Sequence, residues 1–319
     1  MQMKKCRMCK SSKLNLILDL GHSSLSDGFL TKNDLDESET SYPLNVLICK
    51  TCGLCQLGYT VSPEKMFNKN YPYDSSTTSY GREHFHNMGV NICNNFNLES
   101  KSLVVDVGSN TGVLLSSFKL KNMKVIGIEP SDNVASIARK KGINTITAFF
   151  SKKIAEKILK KYGNVSVLTG TNVFAHIDDL DDFMNGVKIL LKSDGILVIE
   201  APYLVNLFDN LEYDTIYHEH LSYLSVKPLK QFCEKHKMDL FDVEIQKIHG
   251  GTLRYFIGRK GKHKISNNIN KFLKLESTKK IYSDKKLKEF AQNVEDHRSK
   301  LLKLLFNLKK SGKTIVAIS

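Results

Sequence analysis

The stretch Val104–Leu115, VVDVGSNTGVLL, runs an apolar strand into an acid, a glycine-rich turn and the start of a helix. Gly108 and Gly112 let the backbone pass close to a ligand at a helix N-terminus. The next apolar segment, KVIGIEP (Lys124–Pro130), ends in Glu129. That is where a ribose-binding carboxylate is expected, ~20 residues after the glycines. GSNTG is not the dinucleotide pattern GxGxxG, and Asp106 precedes its first glycine. A carboxylate there suits a cationic or amine-bearing ligand better than a diphosphate. The stretch therefore predicts the first strand–turn–helix of a parallel α/β sheet, with a ligand crevice at its end.

VSVLTGT (Val165–Thr171) and GILVIEAP (Gly195–Pro202) also read as buried parallel strands. Amphipathic VASIARKKG (Val134–Gly142) and FMNGVKILLKSDG (Phe183–Gly195) lie between the strands, so βαβ units are predicted. The reading divides the chain into a cysteine-bearing module at 1–62, a tyrosine-rich, partly helical connector at 63–98, the α/β core at 99–262 and a helical segment at 263–319. In that last segment Leu287, Phe290, Ala291 and Val294, then Leu301, Leu304, Leu305 and Leu308, share one helix face. The terminal TIVAIS reads as the start of another buried strand.

The 319 residues are enough for about two domains at ~150 each. No uninterrupted apolar run approaches the ~18 residues of a membrane span, and MQMKKCRMCK lacks a signal peptide's apolar stretch. A soluble, cytoplasmic protein is expected. Net charge is 47 − 33 = +14, spread over lysine-rich helix faces such as KKYGN and STKKIYSDKKLKE. That spread does not favour nucleic acid and is compatible with a small anionic substrate. Of seven cysteines, Cys6, Cys9, Cys49 and Cys52 form two CxxC pairs. Four converging thiolates close a tetrahedral Zn²⁺ site with no open position, which makes the metal structural. Cys55, Cys93 and Cys233 are read as ordinary thiols, and His84, His86, His236 and His297 are assigned no function.

DTIYHEHLSYLS (Asp214–Ser225) is unusually dense in His, Glu and Tyr. A metal pair of His218 and His220 is disfavoured if the segment is a strand, because Glu219 would then point to the other face. Such residues suit proton transfer: histidine is a base near neutral pH, and tyrosine donates to developing charge.

The glycine loop resembles the first motif of class I S-adenosylmethionine (SAM)-dependent methyltransferases. The order of motifs over nearly the whole chain resembles one family, the zinc-containing nucleotide-sugar C-methyltransferases. The motifs are CRMC with LDLGHSSLSDGFL, LICKTCGLCQL, NYPYDSSTTSYGREHF, DVGSNTGVLL, IGIEPS, TAFF, TNVFAHIDDLDDF, GILVIEAPYL, DTIYHEHLSYLS and HGGTLRYFIGRKG. The resemblance implies a Rossmann-like core with a small N-terminal zinc-binding module and C-terminal helices. It places Asp106, Gly108, Asn110, Gly112, Glu129, Phe150 and Asn172 at the cofactor. It implies transfer of a methyl group to a ring carbon beside the ketone of a nucleotide-linked deoxysugar, through a base-generated enolate. His220 is the first choice of base and His176 the second. Glu219 would orient the base or bind the sugar, and Tyr217 and Tyr71 would donate to the enolate or fix the substrate. His249, Gly250, Gly251 and Arg254 would approach the sugar or its phosphates. A monomer without membrane partners is expected. The family carries a further C-terminal α/β domain, which begins with a strand like TIVAIS and helps hold the nucleotide.

Overall fold

The structure is a computed structural model that describes residues 1–67, 71–248 and 250–316. His249 and the end of TIVAIS, 317–319, lie outside the described residues.

The N-terminal module is an antiparallel sheet of β1 (Leu14–Ser23), β2 (Tyr42–Cys49) and β3 (Cys55–Leu57). In β2 the alternating Leu44, Val46 and Ile48 are buried, as a half-exposed strand requires. A short helix, α1 (Pro63–Met66), follows. Helix α2 (Ser79–Asn95) starts at Thr78, whose hydroxyl accepts the Gly81 amide, and buries Phe85, Met88 and Ile92 along one face.

The core alternates β4 (Leu103–Val107), α3 (Val113–Leu120), β5 (Lys124–Ile128), α4 (Asp132–Lys140), β6 (Asn144–Ile146), α5 (Lys152–Tyr162), β7 (Val165–Thr171), α6 (Leu180–Leu190) and β8 (Leu191–Pro202). Strands β4 to β8 are parallel. After α7 (Leu204–Asp209), the strand β9 (Ser222–Tyr223) and α8 (Val226–Lys235), an antiparallel pair completes the sheet: β10 (Met238–Gln246) and β11 (Thr252–Arg259). The seven-stranded order is β10-β11-β8-β7-β4-β5-β6. The chain reverses direction across the sheet at β4, so the crevice opens beyond its carboxyl end.

Strand β9 does not join this sheet. It pairs with β3 of the N-terminal module, Cys55 opposite Tyr223 and Gln56 opposite Ser222. The YHEH segment is therefore a turn between two sheets, which corrects its reading as a strand.

Helices α9 (Asn267–Thr278) and α10 (Asp284–Lys310) follow. Leu287, Phe290 and Val294 are buried, with Phe290 against Phe208. Leu301, Leu304 and Leu308 are exposed, and 313–316 forms no strand. The expected apolar face is thus only half used: a strand needs an edge to pair with, and no described residue supplies one. Among the described residues no helix is long and apolar enough to cross a membrane.

Candidate active site

A cavity of about 950 Å³ lies at the carboxyl ends of β4, β5, β7 and β8. The 217–220 turn, residues of 63–75 and Asp27 of the N-terminal module close it. This volume is at the upper end of ordinary ligand sites, with room for more than one ligand.

One end is built by the glycine loop. Gly108 has φ +65°, and a Cβ there would come within 2.3 Å of Val173 Cγ2, so a side chain is excluded. Glu129 accepts the Asn110 and Ser131 amides, each at 2.9 Å, which aims its carboxylate along the loop. Asp106 is buried and accepts the Thr169 hydroxyl at 2.6 Å. Burial, followed by the nearby Glu129, pushes its carboxyl up to about 7. Asn172 has φ +55°, and its buried Oδ1 has no hydrogen-bond partner among the described residues. Phe150 lines the same end with its ring 5.2 Å from Phe183.

The other end holds the polar cluster. His220 donates from Nδ1 to the Thr215 carbonyl at 2.8 Å, and Tyr217 Oη donates to its Nε2 at 3.0 Å. This arrangement selects the tautomer whose Nε2 lone pair is the basic site. The His176 ring lies 5.1 Å from that of His220 and stacks on Phe67 at 5.6 Å. Its Nε2 is buried without a partner among the described residues. Burial, then the neighbouring His220, holds His176 well below the usual histidine range, so it is neutral near pH 7. Tyr71 Oη donates to Glu219 Oε2 at 3.4 Å. Burial first, then Asp27, pushes the Glu219 carboxyl up to about 8. Burial, then Glu219, raises the phenols of Tyr71 and Tyr217, so both stay protonated donors.

His218 points away from the cavity, its buried ring edge-on to Tyr42. His218 and His220 therefore cannot share a metal, and the physical reason is the turn rather than strand alternation. Among the described residues, Cys6, Cys9, Cys49 and Cys52 form the one group able to hold a metal, with all four sulfurs within 4.8 Å of one another. The Cys6–Cys52 and Cys9–Cys49 Sγ separations are 3.6 and 3.4 Å. A Zn–S bond of ~2.3 Å implies tetrahedral edges of about 3.8 Å, so the four thiols fit zinc.

Three family models match in sequence: "Putative zinc binding domain" over 6–67, "Methyltransferase domain" over 81–239 and "C-methyltransferase C-terminal domain" over 247–319. C-methyltransferase NovU of Streptomyces niveus is 32% identical over 98% of this chain and 74% of its own length. The chain belongs to this family of zinc-binding C-methyltransferases. A ubiquinone biosynthesis O-methyltransferase of Bartonella tribocorum is 20% identical over 57% of this chain and 78% of that one. Among solved structures, magnesium protoporphyrin IX methyltransferase (ChlM) from Synechocystis PCC 6803 matches with a TM-score of 0.45 at 12% identity, covering 59% of this chain and 90% of that chain.

The protein is thus a SAM-dependent methyltransferase with a class I core and a zinc-binding module. The residues at this end of the cavity are compatible with the cofactor: two buried carboxylates, Asp106 and Glu129, an unpartnered amide oxygen and a glycine that admits close approach. Two loop residues act otherwise than expected. Gly112 does not line the cavity; its φ of +78° turns the chain into α3, against Ile143. Asn110 lines it, but its side chain sews Tyr73 and Ser75 to the loop, donating to the Tyr73 carbonyl at 2.9 Å and accepting the Ser75 amide at 3.0 Å.

The expected substrate side needs more correction. Arg254 is buried and does not line the cavity; its guanidinium grips Glu200 at 2.6 Å and Glu244 at 3.6 Å. His84 binds the other Glu200 oxygen at 2.8 Å, so Arg254 is engaged within an internal cluster that ties α2 to β8. No Lys or Arg lines the cavity among the described residues. Gly250 lines it, whereas Gly251 does not; there a Cβ would strike Asn206. Asp27, Phe67, Asp178 and Thr215 were missed. Asp27, Asp178 and Thr215 sit inside motifs and Phe67 between two of them, and none carries a periodic or spacing signal of its own.

Proposed function

We propose that the enzyme methylates the carbon beside the ketone of a nucleotide-linked deoxyketosugar by way of an enolate. The observation that supports this most is His220, whose Nδ1 is spent on a backbone carbonyl and whose Nε2 faces the cavity with Tyr217. A C–H beside a ketone is a weak acid, and a positioned imidazole can take its proton. For this, Tyr217 turns its one proton from His220 Nε2 to the ketone oxygen when the sugar binds, which frees the lone pair. The protonated Tyr71 and Glu219 donate beside it as charge builds there. SAM, when bound, supplies the methyl group. Glu129 would bind the ribose hydroxyls of the cofactor and Asp106 its cationic end, with Phe150 and Asn172 beside them. The acid-rich cavity takes the sugar, whose hydroxyls its carboxyl and tyrosine groups can bind. The same lining disfavours a nucleic-acid acceptor. The reading is tested by NMR with TDP- and GDP-linked 4-ketosugars in D₂O, with and without SAM. Deuterium should enter at the carbon beside the ketone. Neither exchange nor transfer with any sugar, from protein that binds SAM, would sink the proposal.

Two further outcomes are expected. Asp106→Asn should weaken SAM binding about 30- to 1000-fold in calorimetry, the ~2–4 kcal/mol of a lost buried charge contact. In the wild type, binding the cation favours the ionised carboxyl and so releases a proton. Affinity should then fall about tenfold per unit as pH drops below about 7 and level off above it. An affinity flat from pH 5.5 to 8 would remove Asp106 from that role.

Asp27→Asn removes a neighbouring charge that raises Glu219. Glu219 is protonated below about 8, and activity that needs that proton fades as pH rises through this value. The alkaline limb of kcat/KM should move about one unit lower in the variant, burial still holding Glu219 up. An unmoved limb would show that another group titrates there.

A further inference from the structure

The zinc knuckle and the cavity wall share one side chain. Arg7 lies between Cys6 and Cys9, and its side chain is 0% exposed. Nη1 donates to the Leu57 carbonyl at 2.9 Å and Nη2 to Thr60 Oγ1 at 2.6 Å. Nε donates to Asp178 Oδ1 at 3.1 Å, and the Arg7 amide donates to Gln56 Oε1 at 2.9 Å. Asp178 lines the cavity two residues after His176. Lys10, next to Cys9, reaches Asp181 at 2.8 Å. One knuckle therefore tethers two points of the 176–181 segment.

A buried guanidinium is costly unless its donors and charge are met. Gln56, Leu57 and Thr60 meet the local donors, but the carboxylate comes from 171 residues away, in the cavity wall. His176 has no side-chain hydrogen bond through Nε2 among the described residues, so its ring is placed by packing and by its own backbone segment.

We infer that Arg7 is a positioning residue that carries the fold of the zinc knuckle through Asp178 to the segment holding His176. Metal occupancy then sets the cavity wall as well as the module. The functional weight of the inference rests on the reading of His176 as a substrate-side residue.

The test is amide hydrogen exchange, read by mass spectrometry without sugar, on the zinc-loaded wild type, Arg7→Gln and Asp178→Asn. Zinc content and SAM affinity are measured alongside. Asp178→Asn leaves the knuckle intact, so it decides the matter if Arg7→Gln loses metal or fails to fold. Expected for Asp178→Asn are retained zinc, SAM affinity within about twofold and about tenfold faster exchange in 174–182. Once a chelator has removed the zinc, wild type and Asp178→Asn should exchange alike in that segment. Unchanged protection of 174–182 in the zinc-loaded Asp178→Asn protein would overturn the inference, as would an equal effect of the substitution with and without metal. Because no sugar is present, failure of the proposed reaction leaves this readout intact, and failure here leaves that reaction standing.

Discussion

Replacing His220 by Asn should cut both deuterium exchange and methyl transfer about 10²- to 10⁴-fold, the range for loss of a general base. SAM affinity should stay within about twofold. The two effects separate because His220 sits on the 217–220 turn, whereas Asp106, Glu129 and Gly108 sit on β4, β5 and their loop. Asparagine is close to histidine in size and can still accept from Tyr217, so the turn keeps its shape while the basic lone pair is gone. His176→Asn is the control. Its ring is stacked on Phe67, and its partnerless buried nitrogen makes it a weak proton acceptor in the folded protein. It should retain exchange at a reduced rate. The opposite pattern, exchange lost in His176→Asn and kept in His220→Asn, would exchange the two roles.

Stripping the metal with a strong chelator should abolish turnover while leaving SAM binding within a few-fold. Structural zinc in finger peptides contributes about 10–16 kcal/mol of apparent folding free energy at neutral pH, more than a small module can lose. The four thiols join Cys6 and Cys9 to the end of β2 and the start of the β3 hairpin. Without them β3 loses its anchor, and β9, which pairs with β3 through Cys55 and Gln56, is released with it. The YHEH turn then loses its outer support. The end proposed for SAM rests on the seven-stranded sheet, whose order does not include the module. Calorimetry with SAM before and after chelation, and recovery of activity on adding Zn²⁺, checks both halves. Full turnover after complete removal of zinc would show that the module holds its shape without metal.

Local signals account for what could be read early. Val104, Val105 and Val107 before GSNTG announce a buried strand, and positive φ at Gly108 and Gly112 is a backbone property that glycine supplies without neighbours. The CxxC pairs are equally local: each knuckle needs only four residues, and only the meeting of the two is tertiary. Helix α10 was legible by its period, yet the exposure of Leu301, Leu304 and Leu308 was not, since a period shows that a face exists and not what covers it.

The polar residues divide the same way. Composition singled out the segment Asp214–Ser225, and the family resemblance picked Tyr217, Glu219 and His220 from it. That Glu219 and His220 face the cavity while His218 points to Tyr42 was decided by a two-residue strand pairing with a hairpin more than 160 residues earlier. Arg254 had the chemistry to hold phosphate, and only β11 lying antiparallel to β8, with Arg254 opposite Glu200, spent it on an internal pair. Asp27 and Arg7 reach the cavity and its wall from the far end of the chain. The parallel α/β core elements, the glycine loop and the two CxxC pairs were set locally, because backbone preference, periodicity and short spacing act within a few residues. The strands read into YHEH and TIVAIS were not set in this way. The tertiary structure alone decided which charged and polar side chains face the cavity and which neutralise one another, because a side chain's direction and partner depend on strand pairings between distant parts of the chain.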